Sequence, residues 1–435
     1  MDTSPAWRLA CTHCGAVHGE REDAFLLACP AGHEPALLRT VYPDRQLVVD
    51  AERPGVFRYA SWLPVRGAPA GAGSPVVFHA GRLGDRLGLE RLFVAFSGYW
   101  PERGCLLETC SFKELEALAV CARMPPGARG SRLVVASAGN TGRAFLQVGT
   151  RAGMPVLVVV PETALGDLWT TIDRHPDAKL VALRAPADYA DAIALADRIA
   201  ALEGFIPEGG ARNVARRDGM GTVMLTAAEA LGALPAHYVQ AVGSGTGAIA
   251  AWEAGIRLLA DGRFGSSPPK LHLVQNEPFT PMHLAWQLHS RDLPRMDDGD
   301  ARRRIERLHS RVLSNRRPPW AVRGGVFDAL DDTGGFTYAV ANEAAREAGR
   351  LFEKLEGRDL DPAAEVALAG LGRAVEAGRI GRLETVLLNA TGGGAAALRA
   401  EARQKPGHPD LLLDTDGIDA MALERELTAL GRPGR

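Results

Sequence analysis

At 435 residues the chain is too long for one ordinary core, so two or three domains are expected. Apolar residues make up 46% and charged residues 23%, as in an ordinary soluble globular protein. The net charge of −2 supplies no field for drawing in nucleic acid or an anionic membrane, and neither is an expected partner.

The opening stretch, Met1 to Arg8, lacks the basic segment and apolar run of a secretory signal. Apolar runs such as Val156 to Pro161 are too short to span a bilayer. A cytoplasmic protein is therefore expected. Three of the six cysteines fall within the first thirty residues, as Cys11-Thr-His-Cys14 and, after fourteen residues, Cys29-Pro-Ala-Gly-His33. Two short knuckles with thiolate and imidazole donors suit a closed tetrahedral zinc site of the ribbon kind, structural rather than catalytic. His18 could replace His33 as fourth ligand; zinc, or a degenerate ribbon that once held it, is set against chance clustering of buried thiols. The segment lacks the basic surface of a nucleic-acid-binding ribbon.

From about Ser131 onward, apolar β-branched runs alternate with amphipathic, alanine-rich stretches. Strands are predicted at Arg132–Ala136, Val156–Val160, Lys179–Leu183, Tyr238–Val242, Leu271–Gln275 and Thr385–Asn389. Helices are predicted at Thr141–Ala152, Asp188–Leu202, Met220–Leu231, Thr246–Leu259, Ala339–Glu356 and Pro362–Ala377. Continuous apolar strands alternating with helices point to doubly wound α/β architecture with parallel sheets. Residues 288–336, rich in Arg, Asp, Pro and Gly, read as a long surface excursion or mobile loop.

Four motifs carry chemistry. Glu108-Thr-Cys-Ser-Phe-Lys113 delivers one lysine to a helix start, where loss of its proton would let it bind an aldehyde cofactor. By itself such a lysine is more often a solvated surface residue. Ser137-Ala138-Gly139-Asn140-Thr141-Gly142 reads as a turn between strand and helix, whose backbone N–H groups suit a carboxylate. A helix cap with a glycine turn is the plainer alternative. Gly243-Ser244-Gly245-Thr246-Gly247 opens another helix, and alternate glycines let backbone approach a phosphate. It is neither a Walker motif nor a Gly-x-Gly-x-x-Gly fingerprint. Finally Thr391, before Gly392-Gly-Gly394, stands at a strand's carboxyl end, the edge where open α/β sheets bind ligands.

Taken in order, these motifs resemble the fold-type II pyridoxal-phosphate enzymes of the threonine synthase superfamily. Ser111-Phe-Lys113 is similar to that family's cofactor-lysine motif, Ser137 to Gly142 to its substrate-carboxylate loop, and Asp361-Pro-Ala-Ala-Glu-Val-Ala-Leu-Ala-Gly370 to the segment that follows its active-site loop. The resemblance implies a tryptophan synthase β-like fold of two doubly wound α/β domains with an amino-terminal zinc-ribbon-like module. Residues 1–45 would form the module, 46–130 with 221–435 the large cofactor-binding domain, and 131–220 the small domain. It also implies that Lys113 carries pyridoxal 5'-phosphate and moves the substrate α-proton, and that Asn140 contacts the ring oxygen. Gly243, Ser244, Gly245, Thr246 and Gly247 would cradle the phosphate, and Thr391 would face the ring nitrogen. Ser137, Ala138, Gly139, Asn140 and Thr141 would receive the substrate carboxylate, and Cys11, Cys14, Cys29 and His33 a structural zinc. The superfamily's common dimers suggest a homodimer.

Before the lysine, Phe96-Ser-Gly-Tyr-Trp100-Pro-Glu-Arg-Gly104 and Leu107-Glu-Thr-Cys-Ser-Phe-Lys113-Glu depart from the threonine synthase pattern and resemble the cysteate synthase branch, as do His33-Glu-Pro-Ala-Leu-Leu-Arg39-Thr and Val134 to Phe145. That branch implies O-phospho-L-serine and sulfite as substrates and a β-replacement giving L-cysteate and phosphate. A threonine synthase acting on O-phosphohomoserine and a non-catalytic ligand-binding protein on the same fold are the rival readings. Arg143, Arg212 and Arg216 are candidates for holding the two anions, each set against a solvated surface role. Cys110 reads as a buried small residue shaping the lysine loop, and Arg302–Arg317 as an exposed helix face and loop.

Overall fold

The computed structural model describes residues 7–69, 71–128, 130–137, 139–401, 403–414 and 420–431. Among these residues, two large sheets carry most of the strands. One has six, in the order Phe336–Val340, Lys270–Asn276, His237–Ala241, Val386–Ala390, Leu92–Phe96 and Val76–His79. All pair in parallel except Val76–His79, which closes one edge antiparallel to Leu92–Phe96. The other has five parallel strands, Phe205–Pro207, Arg132–Ala136, Val156–Pro161, Ala178–Leu183 and Leu411–Leu413. Val156–Pro161 and Val386–Ala390 are buried at every position. Unbroken apolar runs form such strands because both faces of a parallel sheet are covered.

The amino-terminal module is a three-stranded antiparallel sheet in which Arg8–Cys11 pairs with Val17–His18 and Leu38–Val41. Its buried Trp7, Leu9 and Leu38 pack with Val214, the first residue of the helix Val214–Leu231. The guanidinium of Arg217 in that helix donates to the carbonyl of Leu38. The module is thus seated on a helix whose other residues reach the central cleft.

Three expectations need correction. Ala339 and Val340 do not start a helix; they end the strand Phe336–Val340, and the helix runs Asn342–Glu356. Phe336-Thr-Tyr is rich in strand formers, and pairing along Lys270–Asn276 overrides the alanines that follow. Residues 288–336 are not a bare surface loop either. They form the helices Asp298–Glu306 and Val326–Asp332 and bury Leu308, Leu313, Trp320 and Phe327. Nor is Arg302–Arg317 simply an exposed face. Arg302 and Arg316 both reach Asp188, the N-cap of the helix Tyr189–Ala200 beside the smaller sheet, at 3.1 and 3.0 Å. No helix of the described residues is long and apolar enough to cross a membrane.

Candidate active site

Three strands aim their carboxyl ends at one cleft: Arg132–Ala136 of the smaller sheet, and His237–Ala241 and Val386–Ala390 of the larger. The loops that follow them carry Ser137, Gly243 and Thr391, which all line the same cavity. The lysine segment joins from the side. Cys110 adopts a left-handed turn at φ 54°, and the Phe112 N–H donates to the Thr391 carbonyl at 2.8 Å. This stitch delivers Lys113 as the first residue of the helix Lys113–Arg123, pointing into the cavity. Cys110 is buried, and burial pushes its thiol up to about 12, so it holds its proton and shapes the loop.

The Lys113 ammonium lies 3.1 Å from Glu116 Oε2, 3.7 Å from Met220 Sδ and 4.8 Å from the Phe112 ring centre. Burial lowers its pKa, Glu116 pulls it back up and Arg216 pushes it down again. A lysine shifted in that direction reaches its neutral, nucleophilic form more readily.

Asn140 begins the helix Asn140–Ala152, and its Oδ1 accepts from Arg143 Nη2 at 2.8 Å. Its amide is therefore turned so that Nδ2 remains the donor. Ser137 Oγ accepts from the N–H groups of Gly139 and Gly142 at 3.1 and 2.7 Å, fastening the turn. The Thr141 hydroxyl donates to Glu116 Oε1 at 2.9 Å. Of the predicted substrate loop, Ser137, Gly139, Asn140 and Thr141 line the cavity, while Ala138 lies outside the described residues.

Gly243, Ser244, Gly245 and Gly247 also line the cavity, whereas Thr246 faces an adjoining cleft. Gly245 has φ 75° and caps the helix Thr246–Asp261, whose first turn leaves N–H groups without helical partners. A Cβ on Gly247 would lie 2.6 Å from the Gln240 amide nitrogen and 3.0 Å from the Phe112 ring, so a larger residue there would have to displace those side chains. Thr391 is 3% exposed, yet among the described residues its hydroxyl has no hydrogen-bond partner. Buried hydroxyls are normally paired, and this one lines the cavity, where it is open to a polar ligand atom.

The arginine candidates divide. Arg143 is buried, donates to the carbonyls of Thr109 and Asp167, and lies 4.8 Å over Trp169. Arg216 is 7% exposed and clamps Glu208 with two hydrogen bonds. Neither has the expected solvated role. Arg212 is exposed, at the adjoining cleft. Sequence reading missed Glu116, Tyr189, Gln240, Val312 and Leu313. Glu116 stands one helical turn after Lys113, which is a usable signal; Val312 and Leu313 come from the excursion and left none.

In the module, one donor atom each from Cys11, Cys14, Cys29 and His33 lies within 4.8 Å of the others. The Cys14 and Cys29 sulfurs are 3.8 Å apart, and Cys11 Sγ is 3.3 Å from His33 Nε2. His33 Nδ1 lies 2.7 Å from the Glu34 carbonyl, a contact that leaves Nε2 as the ligand atom. A hydrogen bond from the Ala16 backbone lowers the Cys14 thiol to about 7, toward its ligating form. These residues could hold a structural zinc. His18 Nε2 stands at the rim, 3.4 Å from Cys29 Sγ.

Comparison with known proteins gives a consistent picture. The family described as "Pyridoxal-phosphate dependent enzyme" matches residues 78–392. A cysteate synthase from Methanoculleus marisnigri is 52% identical over 405 residues, covering 93% of this chain and 92% of that protein. One from Methanosarcina acetivorans is 48% identical, covering 90% and 93%. Among solved structures, diaminopropionate ammonia lyase from Escherichia coli matches with a TM-score of 0.56 at 14% identity, covering 77% of this chain and 87% of that one. Processed threonine deaminase isoform 2 from Solanum lycopersicum matches at 0.53 and 18%, covering 76% and 86%. Likeness at that identity speaks for the fold alone.

Proposed function

The chain belongs to the pyridoxal-phosphate-dependent enzymes and, within them, to the cysteate synthases, and on that premise we propose that it performs a β-replacement on O-phospho-L-serine, with sulfite entering and phosphate leaving. The observation that carries the reading is the convergence on one cavity of the Lys113 amine, the Asn140 amide, a glycine loop without room for Cβ atoms, and the unpartnered Thr391 hydroxyl.

Those residues fit the cofactor. Lys113 would bind its aldehyde, the Asn140 Nδ2 would donate to its ring oxygen, and the loop from Gly243 to Gly247 would hold its phosphate. The Thr391 hydroxyl would meet the ring nitrogen; a neutral partner there leaves that nitrogen unprotonated, which favours elimination over transamination. When bound, the cofactor supplies an electron sink for the carbanion at the substrate α-carbon.

The protein's own part is positioning and proton movement. The turn Ser137–Thr141 receives the substrate carboxylate through its backbone, because the Ser137 and Thr141 hydroxyls are engaged within the fold. Lys113 Nζ takes the proton from Cα and returns it at the end. Between those events the Cβ–O bond to phosphate breaks and a Cβ–S bond to sulfite forms. Val312 and Leu313 line the cavity with apolar side chains, which would disfavour water as a competitor of sulfite. We read the enzyme as a cytoplasmic homodimer with the domain limits expected from the sequence, except that Leu411–Leu413 completes the smaller sheet.

The test is product analysis. Protein loaded with pyridoxal phosphate is given O-phosphoserine and sulfite, or O-phosphohomoserine alone. Cysteate from the first mixture, absent with Lys113→Ala, is the expected result. Threonine from the second mixture without cysteate from the first would refute the substrate assignment, and no product with bound cofactor would leave a ligand-binding protein.

A further inference from the structure

Glu116 is fully buried, yet its carboxylate belongs to no part of the machinery described so far. It stands one turn along the helix from Lys113 and gathers partners from three helices. Lys113 Nζ lies 3.1 Å from Oε2, the Thr141 hydroxyl donates to Oε1 at 2.9 Å, and Arg216 Nη1 lies 3.4 Å from Oε1. Arg216 in turn binds Glu208 at 2.5 and 2.8 Å. The result is a buried string of alternating charge, Lys113, Glu116, Arg216, Glu208, with Tyr189 beside it.

The string is neutral only while Lys113 is an ammonium. Whenever the lysine nitrogen carries no proton, one negative charge is left over in a low-dielectric site, where an unmatched charge is costly. Glu116 therefore favours Lys113 with a proton on it, and burial and Arg216 oppose that preference. The contact also restricts the direction of a flexible four-carbon side chain.

We propose that Glu116 is the positioning residue for Lys113: it keeps the amine aimed into the cavity and holds it as an ammonium after it has taken the α-proton, until that proton returns to carbon. Glu116 remains a carboxylate throughout; the proton moves only between the substrate α-carbon and Lys113 Nζ. The inference rests on the assignment of Lys113 made above.

The test reads cofactor capture rather than turnover. Cofactor-free protein is mixed with pyridoxal phosphate across a pH series, the rate of appearance of the visible band is recorded, and borohydride trapping with peptide mass spectrometry locates the adduct. In Glu116→Gln the pH giving half-maximal capture should fall by about 1–3 units, because an opposite charge at this distance shifts a pKa by that much. Glu116→Asp keeps the charge and should stay near the wild-type midpoint. For cysteate formation, Glu116→Gln should lower kcat with little change in KM for phosphoserine. A folded Glu116→Gln protein with an unmoved midpoint and unchanged kcat would overturn the proposal, and so would loss of thermal stability as its only effect. Adduct at Lys113 without cysteate would refute the substrate reading but leave the midpoint comparison intact; absence of any Lys113 adduct in the wild type would remove the ground for both.

Discussion

Replacing Thr391 by valine should move the stability of the cofactor-free protein and the affinity for the cofactor in opposite directions. The Thr391 hydroxyl is buried and has no partner among the described residues. An unsatisfied buried hydroxyl costs about 1–3 kcal/mol, and a methyl of similar shape removes most of that cost. Thr391→Val should therefore stabilise the cofactor-free protein by about 1 kcal/mol, the lower end allowing for imperfect packing of the new methyl. If the hydroxyl meets the cofactor's ring nitrogen, its loss removes one hydrogen bond worth about 0.5–1.5 kcal/mol, weakening binding about 2- to 13-fold. Urea unfolding of the cofactor-free proteins gives the first quantity, and titration with pyridoxal phosphate followed by absorbance gives the second. Thr391→Ser, which keeps the hydroxyl, should bind like wild type. A valine variant less stable than wild type, with unchanged cofactor affinity, would refute the reasoning, since the hydroxyl would then be satisfied inside the protein.

Burial raises the Glu114 carboxyl from 4.5 to about 7. A raised folded-state pKa gives stability that is complete below the unfolded-state value and lost as pH rises through about 7. Glu114→Gln, which can still accept the Thr109 N–H bonded at 2.8 Å, should thus gain on wild type between about pH 5 and pH 8, by on the order of 1–3 kcal/mol in chemical unfolding. An equal gap at both ends of that range would count against a buried, neutral Glu114. Gly247→Ala should lower cofactor affinity, because its Cβ would lie 2.6 Å from Gln240 and 3.0 Å from Phe112 and displace that wall of the cavity; equilibrium titration checks this. Metal analysis of the purified protein should find one zinc per chain, and Cys14→Ser should lose it and lower the unfolding temperature. Unchanged metal content in that variant would refute the ligand set.

The readable part of the cavity lining lay in the strand-end motifs, because a turn built from consecutive backbone leaves its pattern in consecutive residues. The positions of Ser137, Gly139, Asn140, Thr141, Gly243, Ser244, Gly245, Gly247 and Thr391 at the cavity were legible for that reason. Glu116 carried only its one-turn spacing from Lys113; the rest of its importance comes from Thr141 and Arg216, which lie on other helices. Arg143 and Arg216 were misjudged on similar grounds. As isolated arginines they resemble surface residues, and only the carbonyls and glutamate folded around them reveal their burial. The excursion was misread through composition: its arginines and aspartates pair with one another and with Asp188, so a polar segment covers apolar Leu308, Leu313 and Trp320. The strand Phe336–Val340 ran without a break into an alanine-rich helix, and no local signal marked the change of period.

The strand Leu411–Leu413 pairs along Ala178–Leu183 as the outermost strand of the smaller sheet, although more than two hundred residues separate the two in sequence. On the ribosome, that sheet must wait with one edge open until nearly the whole larger sheet has been synthesised. An open edge of buried, mostly apolar strand is a template for pairing with other chains. Slow translation past residue 200, or a stop before residue 411, would therefore expose Ala178–Leu183 to aggregation long before the catalytic cleft was affected.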